Sequence, residues 1–224
     1  MPRRLVLTPK HTRTALSELA AADADLGRVL DAHGPPPLWV REPGFPTLVQ
    51  IILEQQVSFK AGQAIFARLR AEIPDFTPPG LLRLGVDDLR GLGLSRQKAA
   101  YVRSLAEAIA GGQLDLAALI RKDDDAIRAE LTALKGIGRW TVDIYLLMAL
   151  RRPDVWPGGD LGLVMAVERL KSLSARPTAA QLEAIAEPWR PWRAVAARLL
   201  WHFHVQTRSQ RGEPRRGVFG AERS

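Results

Sequence analysis

Residues 134–160 read LKGIGRWTVDIYLLMALRRPDVWPGGD and contain the two strongest local patterns of the chain. Gly136 and Gly138 interrupt one helical pattern, and an apolar run with helical periodicity follows them. The N–H groups that begin such a helix favour an anion such as phosphate, but a Gly-x-Gly turn taken alone is a weak signal: Gly136 can simply cap a helix and Gly138 serve packing. A Pro-Gly-Gly turn then precedes Asp160 and another apolar helix. An aspartate there is either an ordinary N-cap or a carboxylate placed for chemistry.

The whole chain is dominated by helical periodicity, and alternating strand patterns are nearly absent from its 224 residues. We therefore predict an all-α protein whose many short helices form two packed lobes with a cleft between them. The predicted domain covers 1–208, with a central lobe over roughly 45–155. Residues 1–44 together with 156–208 are expected to form the second lobe, and 209–224 a flexible basic tail.

Composition favours a polyanionic partner and excludes several kinds of site. The net charge is +8, and the abundance of arginine suits phosphate contacts, although a merely solvated basic surface would give the same value. The absence of cysteine excludes disulfides, thiolate nucleophiles, cysteine-ligated zinc and iron–sulfur clusters. No secretory signal or membrane-length apolar run is seen, so a cytoplasmic protein without membrane contact is expected.

Local patterns predict individual helices and their ends. Residues 11–34 are predicted to be one helix that ends at Gly34, whereas 47–73 fit either two helices or one broken helix. Ser95 is expected to cap a long Ala-rich helix. Two tryptophans beside the Pro188 and Pro191 kink, and the four scattered histidines, are interpreted as structural.

Taken jointly, five segments resemble one family. LKGIGRWT is similar to the hairpin of the helix-hairpin-helix DNA glycosylases, and VWPGGD to the turn that ends in their catalytic aspartate. LVQIILEQQVSFKAGQAI, LGLSRQKAAYVRSLAEAIAGGQLDL and WRPWRAVAARLLW resemble segments of the 3-methyladenine DNA glycosylase II branch. The matches span roughly 45–201. The resemblance implies hydrolysis of the N-glycosidic bond of alkylated purines in duplex DNA by base flipping, in a compact form without the extra N-terminal β domain.

The resemblance also implies roles for single residues. Asp160 is the expected catalytic carboxylate, and Trp140 stands where bifunctional relatives carry a Schiff-base lysine, so a monofunctional enzyme is expected. Gln56 would fill the gap left by the flipped base, and Gln55 is assigned a positioning role; both count among the expected DNA-binding residues. Other positions match the base pocket (Trp140, Trp201, and Ile144 in place of an aromatic residue) or DNA-contacting parts of the hairpin (Gly136, Ile137, Gly138, Arg139 and Thr141).

The family pattern further implies a monovalent cation, Na⁺ or K⁺, on the backbone carbonyls of Thr132, Leu134 and Ile137, where it would bridge to a DNA phosphate. No other cofactor is expected. The expected partner is double-stranded DNA that contains alkylated bases, and the expected oligomeric state is monomeric. The main alternative is a catalytically silent helix-hairpin-helix protein that binds damaged DNA, which would not need Asp160 at this spacing.

Overall fold

The computed structural model describes residues 5–210, and these contain thirteen α-helices, one short 3-10 helix and no strand. The all-α prediction is confirmed. In chain order the helices are α1 (Pro9–Ala22), α2 (Ala24–His33), α3 (Phe45–Glu54), α4 (Phe59–Glu72), α5 (Pro78–Leu82), α6 (Val86–Gly91), α7 (Arg96–Ala110), α8 (Leu116–Leu119), α9 (Asp124–Thr132), α10 (Arg139–Met148), α11 (Leu161–Leu170), α12 (Ala179–Ala186), the 3-10 helix (Glu187–Trp189) and α13 (Arg193–Gln210). Over residues 5–210, no helix combines the length and apolar character needed to cross a membrane.

The chain divides into two compact units that alternate along the sequence. Unit 1 comprises Met1–Val40 and Leu150–Ser224, as far as these are described, and unit 2 comprises Arg41–Ala149. Unit 2 corresponds to the central lobe expected over 45–155, but its two boundaries lie a few residues earlier in the chain than expected. The basic tail expected over 209–224 lies outside the described residues from 211 onward.

The first helical pattern of unit 1 forms two helices, and the prediction of a single helix over 11–34 is wrong. Asp23 has extended backbone angles (φ −140°, ψ 107°) and is both the C-cap of α1 and the N-cap of α2. Its carboxylate accepts from Lys171 Nζ at 2.8 Å and from Trp189 Nε1 at 2.9 Å. Although burial opposes it, these two donors hold the pKa of Asp23 below its ordinary value. Tertiary partners therefore stabilise a break that helix propensity alone does not require.

Helix α13 forms much of the core of unit 1. Its N-terminal end is fixed, because Trp192 Nε1, just before the helix, donates to Glu18 Oε2 at 2.6 Å, and Nε of Arg193, its first residue, donates to Asp154 Oδ1 at 2.8 Å. Behind this anchor, α13 presents a continuous series of buried residues: Ala194, Val195, Ala196, Ala197, Arg198, Leu199, Leu200 and Trp201.

Unit 2 begins with two separate helices, α3 and α4, which is one of the two arrangements predicted for 47–73. Gln55 is the C-cap of α3, and Ser58 is the N-cap of α4. The helices approach closely at Gly62, where an added Cβ would lie 2.8 Å from Glu54 Cγ. The Glu54 carboxylate is buried, and its two oxygens, Oε1 and Oε2, accept hydrogen bonds from the Arg41 guanidinium at 3.0 and 2.9 Å. The turn between α3 and α4 thus rests on a buried ion pair.

Candidate active site

Asp160 lies at the start of α11 in unit 1, and its carboxylate is fixed by two N–H donors. As the N-cap, it accepts from the backbone N–H of Leu163 at 3.0 Å. The same oxygen, Oδ1, accepts from the indole Nε1 of Trp201 at 2.9 Å. The residue is only 9% exposed. The positive end of the helix dipole and both donors interact favourably with a negative charge at this position.

Trp201 is fully buried, and its contact with Asp160 differs from the pocket-wall role expected from sequence. A ring without exposed surface has no open face for a flipped base, so the observed geometry favours orientation of the carboxylate. The Trp39 ring packs edge-on against Trp201, with ring centroids 6.4 Å apart. Neither the Trp201–Asp160 bond nor the position of Trp39 follows from local sequence patterns.

A buried arginine supports this aromatic pair from the same unit. Arg198 lies one helical turn before Trp201 on α13 and donates to the carbonyl of Trp39 at 3.1 Å. Burial lowers the pKa of Arg198 to about 9. The sequence analysis did not identify this residue, because the pattern of WRPWRAVAARLLW does not show which of its three arginines is buried.

The predicted hairpin of unit 2 joins α9 to α10, and its two glycines have different structural roles. Gly136 has a positive φ of 90°, and an added Cβ would lie 2.0 Å from Cγ of Tyr101. Gly136 is therefore required by packing and backbone conformation, and it does not cap α9, whose C-cap is Ala133. Gly138 is the N-cap of α10, is exposed, and has no described atom beyond its own helix and chain neighbours within 4 Å of a Cβ position. Of the two, Gly138 is the one open to an approaching phosphate.

The charged residues of the hairpin centre on a buried carboxylate, Asp143. It accepts from Arg128 Nε at 2.9 Å, which connects α9 to α10, and Arg139 Nε lies 3.6 Å away. Burial opposes ionisation of Arg128, but the Asp143 carboxylate outweighs it and raises the pKa of Arg128. The Arg139 side chain remains 71% exposed at the first position of α10. It is thus positioned at the surface, as its predicted DNA contact requires.

Gln55 connects the α3–α4 turn to the hairpin. Its Nε2 donates to the carbonyl of Gly136 at 3.0 Å and to Oγ1 of Thr141 at 2.8 Å. Thr141 is only 1% exposed, so its side chain serves this internal bond, and the direct DNA contact expected of it is corrected. Gln56 is exposed and has a left-handed φ of 56°. The positioning role of Gln55 and the accessible location of Gln56 are both compatible with the expected division of labour.

The pocket residues predicted on α10 separate into an accessible one and a core one. Trp140 is half-buried. Ile144 is fully buried, so its expected contact with a flipped base is corrected: its side chain belongs to the core of unit 2. The hydroxyl of the adjacent Tyr145 accepts from the backbone N–H of Gly44 at 3.1 Å. The periodicity of α10 did not reveal that eight consecutive residues, from Thr141 to Met148, are all buried.

Two further observations concern metal ions. Within residues 5–210, no group of three or more His, Cys, Asp or Glu side chains could hold a metal. At the hairpin, the Leu134 carbonyl accepts from the N–H of Ile137 at 3.1 Å, and Thr132 is the last residue of α9. Carbonyls in the last helical turn have no partner within the helix, and a carbonyl oxygen has two lone pairs. The Thr132 and Leu134 carbonyls therefore each keep a lone pair that an expected monovalent cation would need.

Comparisons with known proteins identify relatives that match most of this chain. A putative DNA-3-methyladenine glycosylase, YfjP of Bacillus subtilis, is 29% identical over 207 residues, covering 89% of this chain and 71% of the relative. DNA-3-methyladenine glycosylase 1 of Schizosaccharomyces pombe is 32% identical over 167 residues, which is 72% of each chain.

Solved structures show the same fold. The fission yeast enzyme Mag1 in complex with abasic DNA superposes with a TM-score of 0.77 at 29% identity, covering 84% of this chain and 95% of Mag1. A Bacillus halodurans DNA-3-methyladenine glycosidase superposes with a TM-score of 0.73 at 28% identity, covering 93% and 95%. The family profile of HhH-GPD superfamily base excision DNA repair proteins matches residues 49–191, which is more than half of the chain. This protein therefore belongs to the HhH-GPD superfamily of base excision DNA repair proteins.

Proposed function

We propose that this protein is a monofunctional DNA glycosylase that hydrolyses the N-glycosidic bond of alkylated purines in duplex DNA. The proposed substrates are 3-methyladenine and, secondarily, 7-methylguanine, and the product is an abasic site. The observation that carries the proposal is the Asp160 carboxylate, which is buried and held by the N–H groups of Leu163 and Trp201. The similarity to relatives named as 3-methyladenine glycosylases supports the same substrate class.

The reaction needs one carboxylate because an alkylated purine is already cationic. The bond between C1′ and the base nitrogen breaks with its electron pair moving to the base, which leaves as a neutral molecule. The sugar becomes oxocarbenium-like, and the Asp160 carboxylate stabilises its positive charge. A water molecule then attacks C1′ and transfers a proton to the carboxylate. A preorganised carboxylate is more effective than a mobile one, which gives the bonds from Trp201 and Leu163 their proposed purpose.

The same proposal assigns roles to unit 2. Exposed Gly138 and Arg139 would contact DNA phosphates at the start of α10, where the N–H groups and the helix dipole favour an anion. Half-buried Trp140 would bind the flipped cationic base through its indole face. The indole has no nucleophilic amine, so no Schiff base forms and the strand is left intact.

A monovalent cation at the hairpin is part of the proposal but not of the bond-breaking step. The carbonyls of Thr132, Leu134 and Ile137 would hold Na⁺ or K⁺, which would supply a positive charge for a DNA phosphate. No other cofactor is required, because departure of a cationic base needs neither a proton donor nor an electron carrier. We also propose that the enzyme binds DNA as a monomer.

The test is release of free base from duplex DNA methylated by an alkylating agent. The protein is incubated with this DNA, released bases are identified by chromatography, and abasic sites are revealed by alkali. We expect 3-methyladenine in the soluble fraction and strand breaks only after alkali treatment. Strand breaks without alkali would contradict the monofunctional assignment. Binding to damaged duplex without any released base would instead identify a silent damage-binding protein. The molar mass of the protein–DNA complex, measured by light scattering, tests whether the protein binds DNA as a monomer.

A further inference from the structure

The side chain of Lys98 on α7 is half-buried and bonded to the turn that follows α3. Its Nζ donates to the carbonyl of Leu53 at 2.6 Å and to that of Gln55 at 2.8 Å. These carbonyls lie at the C-terminal end of a helix, where backbone oxygens lack intrahelical partners and the dipole favours a cation. Lys98 therefore acts as a side-chain cap for α3, and its ammonium is directed inward rather than toward solvent.

The turn that Lys98 binds contains a residue in an uncommon conformation. Gln56 has a φ of 56°, and a left-handed backbone is unfavourable for a residue other than glycine. Such a conformation persists where neighbouring groups fix it. The bond from Lys98 to the Gln55 carbonyl fixes the turn on one side. The N-cap bond of Ser58, which accepts from Ala61 N at 3.2 Å, fixes it on the other.

The same face of α7 also supports the hairpin. Tyr101 lies three residues after Lys98 and is therefore its neighbour on the helix surface. Its ring fills the space beside Gly136, where no Cβ could be accommodated. Gln55 completes the connection, because its side-chain amide donates to the Gly136 carbonyl at 3.0 Å. The α3–α4 turn and the hairpin are thus held by one helix and connected to each other by the Gln55 amide, which also donates to Thr141 Oγ1.

We propose that Lys98 is a positioning residue that fixes the exposed Gln56 relative to the hairpin, so that phosphate contacts at the hairpin determine where Gln56 enters the duplex. This inference rests on the proposed base-flipping function. Lys98 does not itself contact DNA, because its ammonium is committed to two protein carbonyls. Loss of Lys98 therefore impairs recognition of the gap left by a flipped or missing base, and leaves general attraction to DNA unchanged.

The test compares Lys98→Met with a matched variant, Arg96→Met, which removes one charge from an exposed position of the same helix. Affinity is measured for an undamaged duplex and for a duplex with a tetrahydrofuran abasic analogue, over a range of salt concentrations. For Lys98→Met we expect about a tenfold loss of the preference for the abasic duplex, which corresponds to about 1.4 kcal/mol. The slope of log affinity against log salt should stay unchanged. Equal losses on both duplexes, with a slope lower by about one, would show a phosphate contact and overturn the proposal.

A double-mutant cycle shows whether Lys98 acts through Gln56. In a Gln56→Ala background, Lys98→Met should cause no further loss of preference, because the positioned side chain is already missing. Additive losses would overturn the proposal. Thermal unfolding is recorded for every variant. If Lys98→Met does not fold, Lys98→Arg, which retains donors for both carbonyls, must keep the preference within about threefold, and a larger loss in that folded variant counts against the proposal.

These measurements use no excision step, so they separate the two proposals. A wild-type protein that prefers the abasic duplex but releases no base contradicts the proposed function. A wild-type protein that excises bases while Lys98→Met keeps its full preference contradicts the role of Lys98.

Discussion

Asp160 in unit 1 and the hairpin in unit 2 are both fixed by hydrogen bonds, but Asp160 is nearly buried whereas the hairpin keeps an exposed side chain, that of Arg139. Around Asp160, the donors Leu163 and Trp201 both contact the carboxylate oxygen Oδ1, and the residue is nearly buried. The hairpin is held from its inner side, by Gln55 and the Tyr101 ring, while Arg139 stays at the surface.

This difference follows from what each part is proposed to do. A carboxylate that stabilises a transient positive charge gains from a low-dielectric setting with fixed donors, because electrostatic interactions are stronger there than in water. A surface that binds DNA phosphates must instead leave its donors accessible, and its contribution is screened by salt. Substitutions in unit 1 around Asp160 should therefore affect the rate of excision, whereas substitutions in the hairpin should affect folding and DNA affinity.

The largest effect is expected for Asp160→Asn. The amide oxygen can still accept from Leu163, and asparagine is a favourable N-cap, so folding is preserved. Excision should fall about 10²–10³-fold, because the negative charge opposite the sugar is lost. Single-turnover release of 3-methyladenine measures the rate. Asp115→Asn is the matched control, since Asp115 caps α8 in the same way and should leave excision unchanged. A folded Asp160→Asn enzyme with nearly full activity would refute the assignment.

The next largest effect is expected for Gly136→Ala. The new Cβ would overlap the Tyr101 ring in a left-handed backbone, so the free energy of unfolding should drop by about 3 kcal/mol. Gly138→Ala should cost only about 0.5 kcal/mol, because that site is open and the change merely weakens an N-cap. Urea denaturation measures both. We expect Gly138→Ala to weaken DNA binding while it remains folded. Equal stability losses at both glycines would contradict the separate roles.

A smaller effect, about tenfold in excision rate, is expected for Trp201→Phe. Phenylalanine keeps an aromatic ring but removes the N–H that donates to Asp160. The loss should be the same for 3-methyladenine and 7-methylguanine, with unchanged affinity for an abasic duplex. Trp192→Phe is the control, because its N–H bonds to Glu18 at the surface. Unequal losses for the two bases would instead restore the pocket-wall role for Trp201.

The smallest effect concerns mild acid, to which the two units should respond differently. All four histidines belong to unit 1: His11, His33, His202 and His204. Burial and the nearby His202 lower the pKa of His33 below its ordinary value of 6.5. His33 therefore binds a proton more readily in the unfolded chain than in the folded one. Its contribution to the free energy of unfolding is fully present above pH 6.5 and is lost as the pH falls through the folded-state pKa of His33.

Amide protection factors at pH 7.5 and 5.5 test this difference. Protection should decrease in unit 1 more than in unit 2, and His33→Gln should reduce the decrease. The expected change in melting temperature is about one to two degrees. A larger loss of protection in unit 2 than in unit 1 would contradict the prediction.

Local patterns predicted the helices well where short-range rules govern them. Ser95 accepts from Lys98 N at 3.2 Å and begins α7 as expected, since an N-cap bond spans only three residues. The same rule predicted Asp160 as the first residue before an apolar helix. At Asp23 the N-cap bond to Asp25 N is also present, but the carboxylate bonds in addition to Lys171, 148 residues away, which no local pattern shows.

Local sequence patterns are therefore sufficient to predict the all-α class and an aspartate N-cap before an apolar helix, because these depend on neighbours within one or two helical turns, whereas the hairpin and the role of Asp160 were predicted from the family resemblance. The folded structure was needed to show that Trp201 bonds to Asp160, that Lys98 caps the turn of Gln56, and that Ile144 is interior. The first two contacts join residues 41 and 43 or more positions apart. A local pattern shows which residues share a helix face, but packing decides whether that face meets core or solvent.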